Sequence, residues 1–175
     1  MITVVGYNLK EMTMKRIVNI FIAAVLLVGL AASCNKAPKI EDGIVAEWQL
    51  AEMTGYEAAD LPVVYIEFKS DNQFVIYQKV GNVSRFRRYD GTYSVDGSVV
   101  TGQYSDKKNW GTDYRASLEA DGSVLVMVAL EKDKKGNVIG DGEVCKYVKA
   151  SLSQEEKDAA DVVTKSGDDD SVRFL

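Results

Sequence analysis

The sequence contains no histidine. That absence excludes Ser-His-Asp and Cys-His nucleophile systems and every histidine-ligated metal site, and with them most hydrolase chemistry. Proline is scarce, with 2 residues in 175, whereas glycine stands at 14 and the aromatics comprise 9 Tyr, 5 Phe and 2 Trp. This is the punctuation of short strands joined by glycine turns, and helical bundles rarely show it. Positive charge is in deficit: 21 Lys and Arg face 26 Asp and Glu, a formal charge of −5, so no basic footprint exists for a nucleic acid. Cysteine is limited to Cys34 and Cys145. What is present, 46% hydrophobic and 27% charged residues, is the balance of one globular domain.

The one long apolar run, residues 17–32, is interrupted only by Asn19 and Gly29. It follows Lys15-Arg16 and ends in Ala31-Ala32-Ser33 before Cys34. A membrane span needs about 20 apolar residues; this shorter run, basic before and small-residued after, has the pattern of a secretory signal. Met14 reads as the start, and Met12 serves nearly as well. The segment Leu30-Ala31-Ala32-Ser33-Cys34 resembles the lipobox of bacterial lipoproteins, with the leucine one place further upstream than usual. The resemblance implies a diacylglycerol on the Cys34 thiol, cleavage before Cys34 and acylation of the freed amine. Residues 1–33 are then the signal and 34–43 a lipidated tether. Cleavage removes Lys10, Lys15 and Arg16 against Glu11, leaving 18 basic and 25 acidic residues, a net of −7. Anionic lipid repels such a chain, so the acyl groups on Cys34 have to carry attachment. The expected location is the cell envelope, anchored at the outer membrane, with the periplasmic and surface sides both open. Once Cys34 is acylated no intramolecular disulfide can form, and Cys145 reads as a small packed hydrophobe.

From residue 46 onward, apolar and polar residues alternate in segments of roughly seven, separated by Asp-Gly, Gly-Asn or Ser-Asp-Asn, a pattern of consecutive hairpins. Strands are predicted at 46–53, 62–69, 73–80, 84–95, 98–104, 113–119, 123–132 and 143–150, with no helical period before residue 152. A hairpin at Asp90-Gly91 would leave only Thr92 to Val95 before the next turn, so a bulge within one long bent strand is expected there. Eight consecutive antiparallel strands expose two edges unless the sheet closes. The expected fold is therefore all-β, an eight-stranded antiparallel up-and-down barrel over 44–152. Period-two counting turns Trp48, Leu50, Val64, Ile66, Phe68, Phe74 and Ile76 inward, with Tyr93, Val95, Tyr114, Ala116 and Leu118 continuing the lining. Ser153 and Glu156 form a capping-box pair that predicts a short C-terminal helix, followed by a solvated acidic tail within 153–175. Asp168-Asp169-Asp170 lacks a glycine-spaced ligand loop, so no metal is expected.

Ile44-Val45-Ala46-Glu47-Trp48-Gln49-Leu50 resembles the opening strand of lipocalin-like domains, with Ala46 where a glycine is usual. Residues Asp90 to Gly97, Val99 to Gly102 and the loop from Tyr104-Ser105-Asp106 to Trp110-Gly111 are similar to small lipocalin-like lipoproteins of Bacteroidetes. The similarity runs from residue 44 to about 152. It implies tryptophan at the base of the barrel and a late basic residue over it, for which the last strand offers Lys146 and Lys149 where an arginine is usual. It also implies a cavity for one small apolar or amphipathic ligand. The expected lining is Trp48, Ile66, Phe68, Phe74, Ile76, Tyr93 and Tyr114, with Trp110 at the mouth. Tyr93, Tyr114 and Gln78 supply polar tips. The same aromatics could instead fill the barrel, leaving a structural or protein-interaction module of the envelope. Glu47, Glu52, Glu67 and Glu119 read as solvent-facing, so no catalytic pair and no cofactor are expected. Arg85, Arg87 and Arg88 form the one basic cluster, read as edge protection or solubility, with a grip on an acidic sugar or lipid headgroup as the alternative.

Overall fold

The structure, a computed structural model, describes residues 39–81, 83–164 and 175. The expected signal segment, both start methionines, Cys34 and the Asp168-Asp169-Asp170 run lie outside the described residues. Eight strands follow in chain order: β1 Glu47–Met53, β2 Val63–Phe68, β3 Gln73–Lys79, β4 Arg87–Asp96, β5 Val99–Tyr104, β6 Tyr114–Glu119, β7 Val124–Lys132 and β8 Val138–Lys149. Each pairs antiparallel with the next, and β8 pairs with β1, so the sheet closes on itself. Closure removes the edges that eight alternating strands would otherwise expose. A ninth, two-residue strand, β9 (Asp161–Val162), lies parallel to β4 at Arg87 and Arg88, beyond the stretch paired with β5. Among the described residues no helix is long and apolar enough to cross a membrane.

Most expected strands end within a residue or two of the observed ones. β8 is longer than expected, beginning at Val138. Its start is set by the turn before it, where the Asp133 carboxylate accepts bonds from Lys135 N at 2.8 Å, Asn137 N at 2.9 Å and Asn137 Nδ2 at 2.9 Å. This knot of side-chain to backbone bonds lets β7 and β8 run almost to the tip of their hairpin. The expectation of a bulge at Asp90-Gly91 is corrected. β4 keeps one register throughout, with Gly91 opposite Phe74 on β3 and Tyr104 on β5. Glycine is needed there for space: a Cβ would lie 2.3 Å from the Gln103 carbonyl oxygen and 2.6 Å from the Phe74 ring. Register shifts occur instead between Leu50 and Glu52 on the β1–β8 ladder and at two points on β7–β8. The extra residue in β1 turns Met53 inward behind Trp48 and Leu50, which period-two counting does not foresee.

A second correction concerns helices. The single turn α1, Ile40–Gly43, precedes the barrel and packs beside β6, burying Ile40 and Ile44 in the main core. The C-terminal helix α2, Gln154–Asp158, begins as its sequence predicts: Ser153 Oγ accepts from Glu156 N at 3.3 Å and donates to the Glu156 carboxylate at 2.8 Å. Two apolar clusters result. The main one lies inside the barrel, and a smaller one on its outer face joins Val75, Tyr77 and Phe86 to Leu152 just before α2. Glu47 fastens this outer layer, because its carboxylate accepts from Leu152 N at 2.7 Å and pairs with Lys157 Nζ at 2.9 Å.

Candidate functional site

β1 turns Trp48 fully inward, where its Nε1–H donates at 2.8 Å to the carbonyl oxygen of Ile44, the residue that caps α1. Lys149 on β8 holds its Nζ 5.4 Å from the centre of the Trp48 ring. A lysine thus supplies the cation that the resemblance would place there as an arginine, and the contact remains a cation–π one. Ile66 and Ile76, cross-strand partners on β2 and β3, are both fully buried on the inner face.

Beyond these the lumen is aromatic. Phe68 meets Tyr93 edge-on at 4.9 Å between ring centres, Phe74 meets Tyr104 at 5.6 Å, and Tyr89 meets Tyr104 at 6.1 Å. Trp110 comes from the 105–113 loop, yet it is only 6% exposed and its ring lies over Gly102, where a Cβ would stand 2.1 Å from Cε2. Its edges meet Phe74 at 5.2 Å and Tyr114 at 6.0 Å. Such T-shaped pairs align the positive rim of one ring with the face of the next. The polar groups are few. Tyr93 Oη donates to Lys69 O at 2.8 Å, Gln78 Nε2 donates to Tyr89 Oη at 3.2 Å, and Tyr104 Oη donates to Leu175 O at 2.7 Å. The Trp110 Nε1–H is buried and finds no acceptor among the described residues.

Ionisable groups in this interior are held neutral. Burial, reinforced by Cys145 and Glu143, pushes the Tyr114 phenol well above its usual range, while a backbone hydrogen bond from Leu175 acts in the opposite sense. Burial raises Tyr147 as well, and burial together with the Glu143 carboxylate pushes the Cys145 thiol up to about 12. Hydroxyls and a thiol in this state donate and accept hydrogen bonds and present no charge. Among the described residues, no group of three His, Cys, Asp or Glu side chains is placed to hold a metal ion.

Of the residues expected to line the barrel, Trp48, Ile66, Phe68, Phe74, Ile76, Tyr93 and Trp110 all belong to the main core cluster, and Tyr114 packs against it. Trp110, expected at or near the mouth, is buried with its ring over Gly102. Sequence reasoning missed Tyr89, Tyr104, Met127, Tyr147 and Leu175, all buried in the same cluster. Tyr89 and Tyr104 carry a usable signal, standing two residues from the inward positions 91 and 102, whereas no periodicity reaches Leu175. The basic cluster is engaged at the outer edge, where Arg85 faces Asp161 at 3.6 Å and Arg88 pairs with Asp90 at 2.7 Å, both beside β9. A separate open recess of about 290 Å³ near the β1–β2 loop is lined by residues including Met53, Tyr56, Leu61 and Val144.

No curated protein matches the chain. Residues 44–126, from just before β1 into β7, match the family model of the lipocalin-like domain, and the closed up-and-down barrel they help to build is lipocalin-like in its fold.

Proposed function

We propose that the protein is a lipid-anchored envelope lipoprotein whose barrel binds one small apolar or amphipathic ligand without catalysing its conversion. The observation that carries the binding reading is the composition of the lumen: apolar and aromatic faces with a few neutral hydroxyls and a buried indole N–H that finds no acceptor among the described residues. A buried donor without a partner costs free energy that a ligand acceptor would recover. The anchor rests on the order Lys15-Arg16, apolar run, small residues and Cys34 in the sequence.

Both tryptophans border this interior, so a fluorescent fatty acid or similar apolar probe should quench their emission saturably, and Ile66→Trp should lower its capacity by occupying volume. A broad panel of apolar probes that leaves the emission unchanged sinks the binding reading. In that case the second reading gains, a filled barrel acting as an interaction module. Val138 and Ile139, 51% and 66% exposed on the β7–β8 hairpin, favour it as an apolar contact point.

A further inference from the structure

Among the described residues, Leu175 is the one buried member of the barrel's main core cluster that comes from beyond α2, where Val163 packs against the cluster partly buried. It is 4% exposed. Its carbonyl accepts from Tyr104 Oη on β5, and its backbone also bonds Tyr114 on β6. Two inward tyrosines on adjacent strands therefore meet the backbone of one residue, while its side chain fills apolar volume. The residue adopts φ of 66°, a left-handed conformation unfavourable for leucine, so its contacts in the lumen hold it there against its own backbone preference.

Leu175 contributes nothing to the strand ladders that close the barrel. It sits in the lumen as a guest would. One donor of that lumen, Trp110 Nε1–H, finds no acceptor among the described residues even with Leu175 in place, and its ring lies against Tyr114 and Phe74, the latter in turn against Tyr104. A free molecule with one more acceptor than Leu175 offers would satisfy the groups Leu175 satisfies and this indole besides.

Resting on the reading of the barrel as a ligand-binding lumen, we propose that its ligand is an N-acylated apolar amino acid or the apolar end of a peptide. Leu175 occupies that site in cis and competes with the ligand. Tyr104 donates to the ligand's carbonyl or carboxylate, Tyr114 meets its amide, and the space filled by the leucine side chain takes a branched apolar group.

The test uses the full chain and N-acetyl-L-leucine, with N-acetyl-L-lysine and isocaproate as controls. The first control lacks the apolar side chain and the second lacks the amide. N-acetyl-L-leucine should bind Leu175→Gly at least tenfold more tightly than wild type, and both controls should bind that variant at least tenfold more weakly than N-acetyl-L-leucine does. Tyr104→Phe in the Leu175→Gly background should lose most of the gain. Because Leu175→Gly removes a core side chain and could impair folding, a second measurement needs no substitution. In wild type labelled at leucine methyls, saturating N-acetyl-L-leucine should move the Leu175 resonances from ring-shifted to solvent positions. Equal affinity of wild type and variant, or Leu175 methyls unmoved at saturation, overturns the competition. An apolar probe that binds while N-acetyl-L-leucine does not overturns the ligand class and leaves the binding barrel standing. Failure of every probe on both proteins removes both readings.

Discussion

Trp48 shows how one side chain serves several purposes at the residue scale. It is fully buried, its indole N–H is satisfied by Ile44, and its ring face receives Lys149. Trp48→Ala should cost about 3–5 kcal/mol, the range for truncating a large buried aromatic, read as a shift of the urea midpoint with unchanged slope. A loss within about 0.5 kcal/mol, the range of innocuous surface changes, would mean that the base of the barrel does not depend on it. Cys145 makes a prediction of a different kind. Its folded thiol holds its proton to about 12, against an ordinary value of 9.0. The raised folded value means that the thiol's contribution to stability is complete below pH 9 and drains away as pH rises from 9 through 12. Unfolding midpoints measured from pH 8 to about 9.5, below the midpoint of ordinary tyrosine titration, should fall for wild type and fall less for Cys145→Ala. Parallel curves would show that the thiol is not the group responsible. Native Cys145 should also resist thiol reagents at pH 8, since its thiolate is scarce and its sulfur is buried.

At the scale of elements, the decisive joint is between β1 and the segment that ends in α2. α2 is a helix of 5 residues with no buried side chain, too short to stand by propensity alone. It is held by the outer cluster around Leu152 and by Glu47, whose two carboxylate oxygens take Leu152 N and Lys157 Nζ. Burial works against the Lys157 charge, but the bond and charge of Glu47, with Glu67 nearby, outweigh it and raise the ammonium's pKa. The side chains in this pair are 18% and 10% exposed, so it is screened less than a surface pair. Glu47→Ala should leave the barrel folded while costing about 1–3 kcal/mol, and amide exchange should accelerate in 150–164 and not in β5–β7. Uniform acceleration across all strands would show that this layer and the barrel unfold as one unit. Because the lysine pKa is raised by folding, its part of this attachment holds below the usual lysine range and is lost as pH climbs through it.

For the whole molecule, the net negative charge offers anionic lipid no electrostatic hold, so the proposed membrane attachment rests on the acyl groups on Cys34. Cys34→Ala should shift the protein from the membrane fraction to the soluble one, and a fatty-acid analogue should label wild type and not the variant. Absence of label on wild type, or retention of residues 17–32 in the mature protein, would remove the anchor from the proposal. Closure has a thermodynamic side as well. Every strand from β1 to β8 has two neighbours, so the main core cannot open at an edge, and exchange through the barrel should report mostly global unfolding.

The sequence by itself determined the eight strands, their hairpin order, the inward face of β1 to β3 and the cap of α2, because each of these is written in contacts between near neighbours. Alternation sets faces, Asp-Gly pairs set turns, and Ser153 reaches only three residues to its partner. Signals that depended on long-range contacts were beyond its reach. Asp90-Gly91 looks like a bulge along the chain, yet Gly91 exists to admit the Phe74 ring between three strands. Met53 turns inward only because the β1–β8 ladder shifts at Leu50/Glu52, and that shift belongs to a pairing of residues some ninety positions apart. Trp110 reads as a loop aromatic until Gly102, eight residues away on the neighbouring β5, offers a surface without a Cβ. Most of the inward-facing positions were legible for this reason, whereas Leu175 was not. A leucine after an acidic run carries no period, no cap and no turn chemistry, and only the closed barrel, with Tyr104 and Tyr114 turned inward on adjacent strands, gives it a place to go.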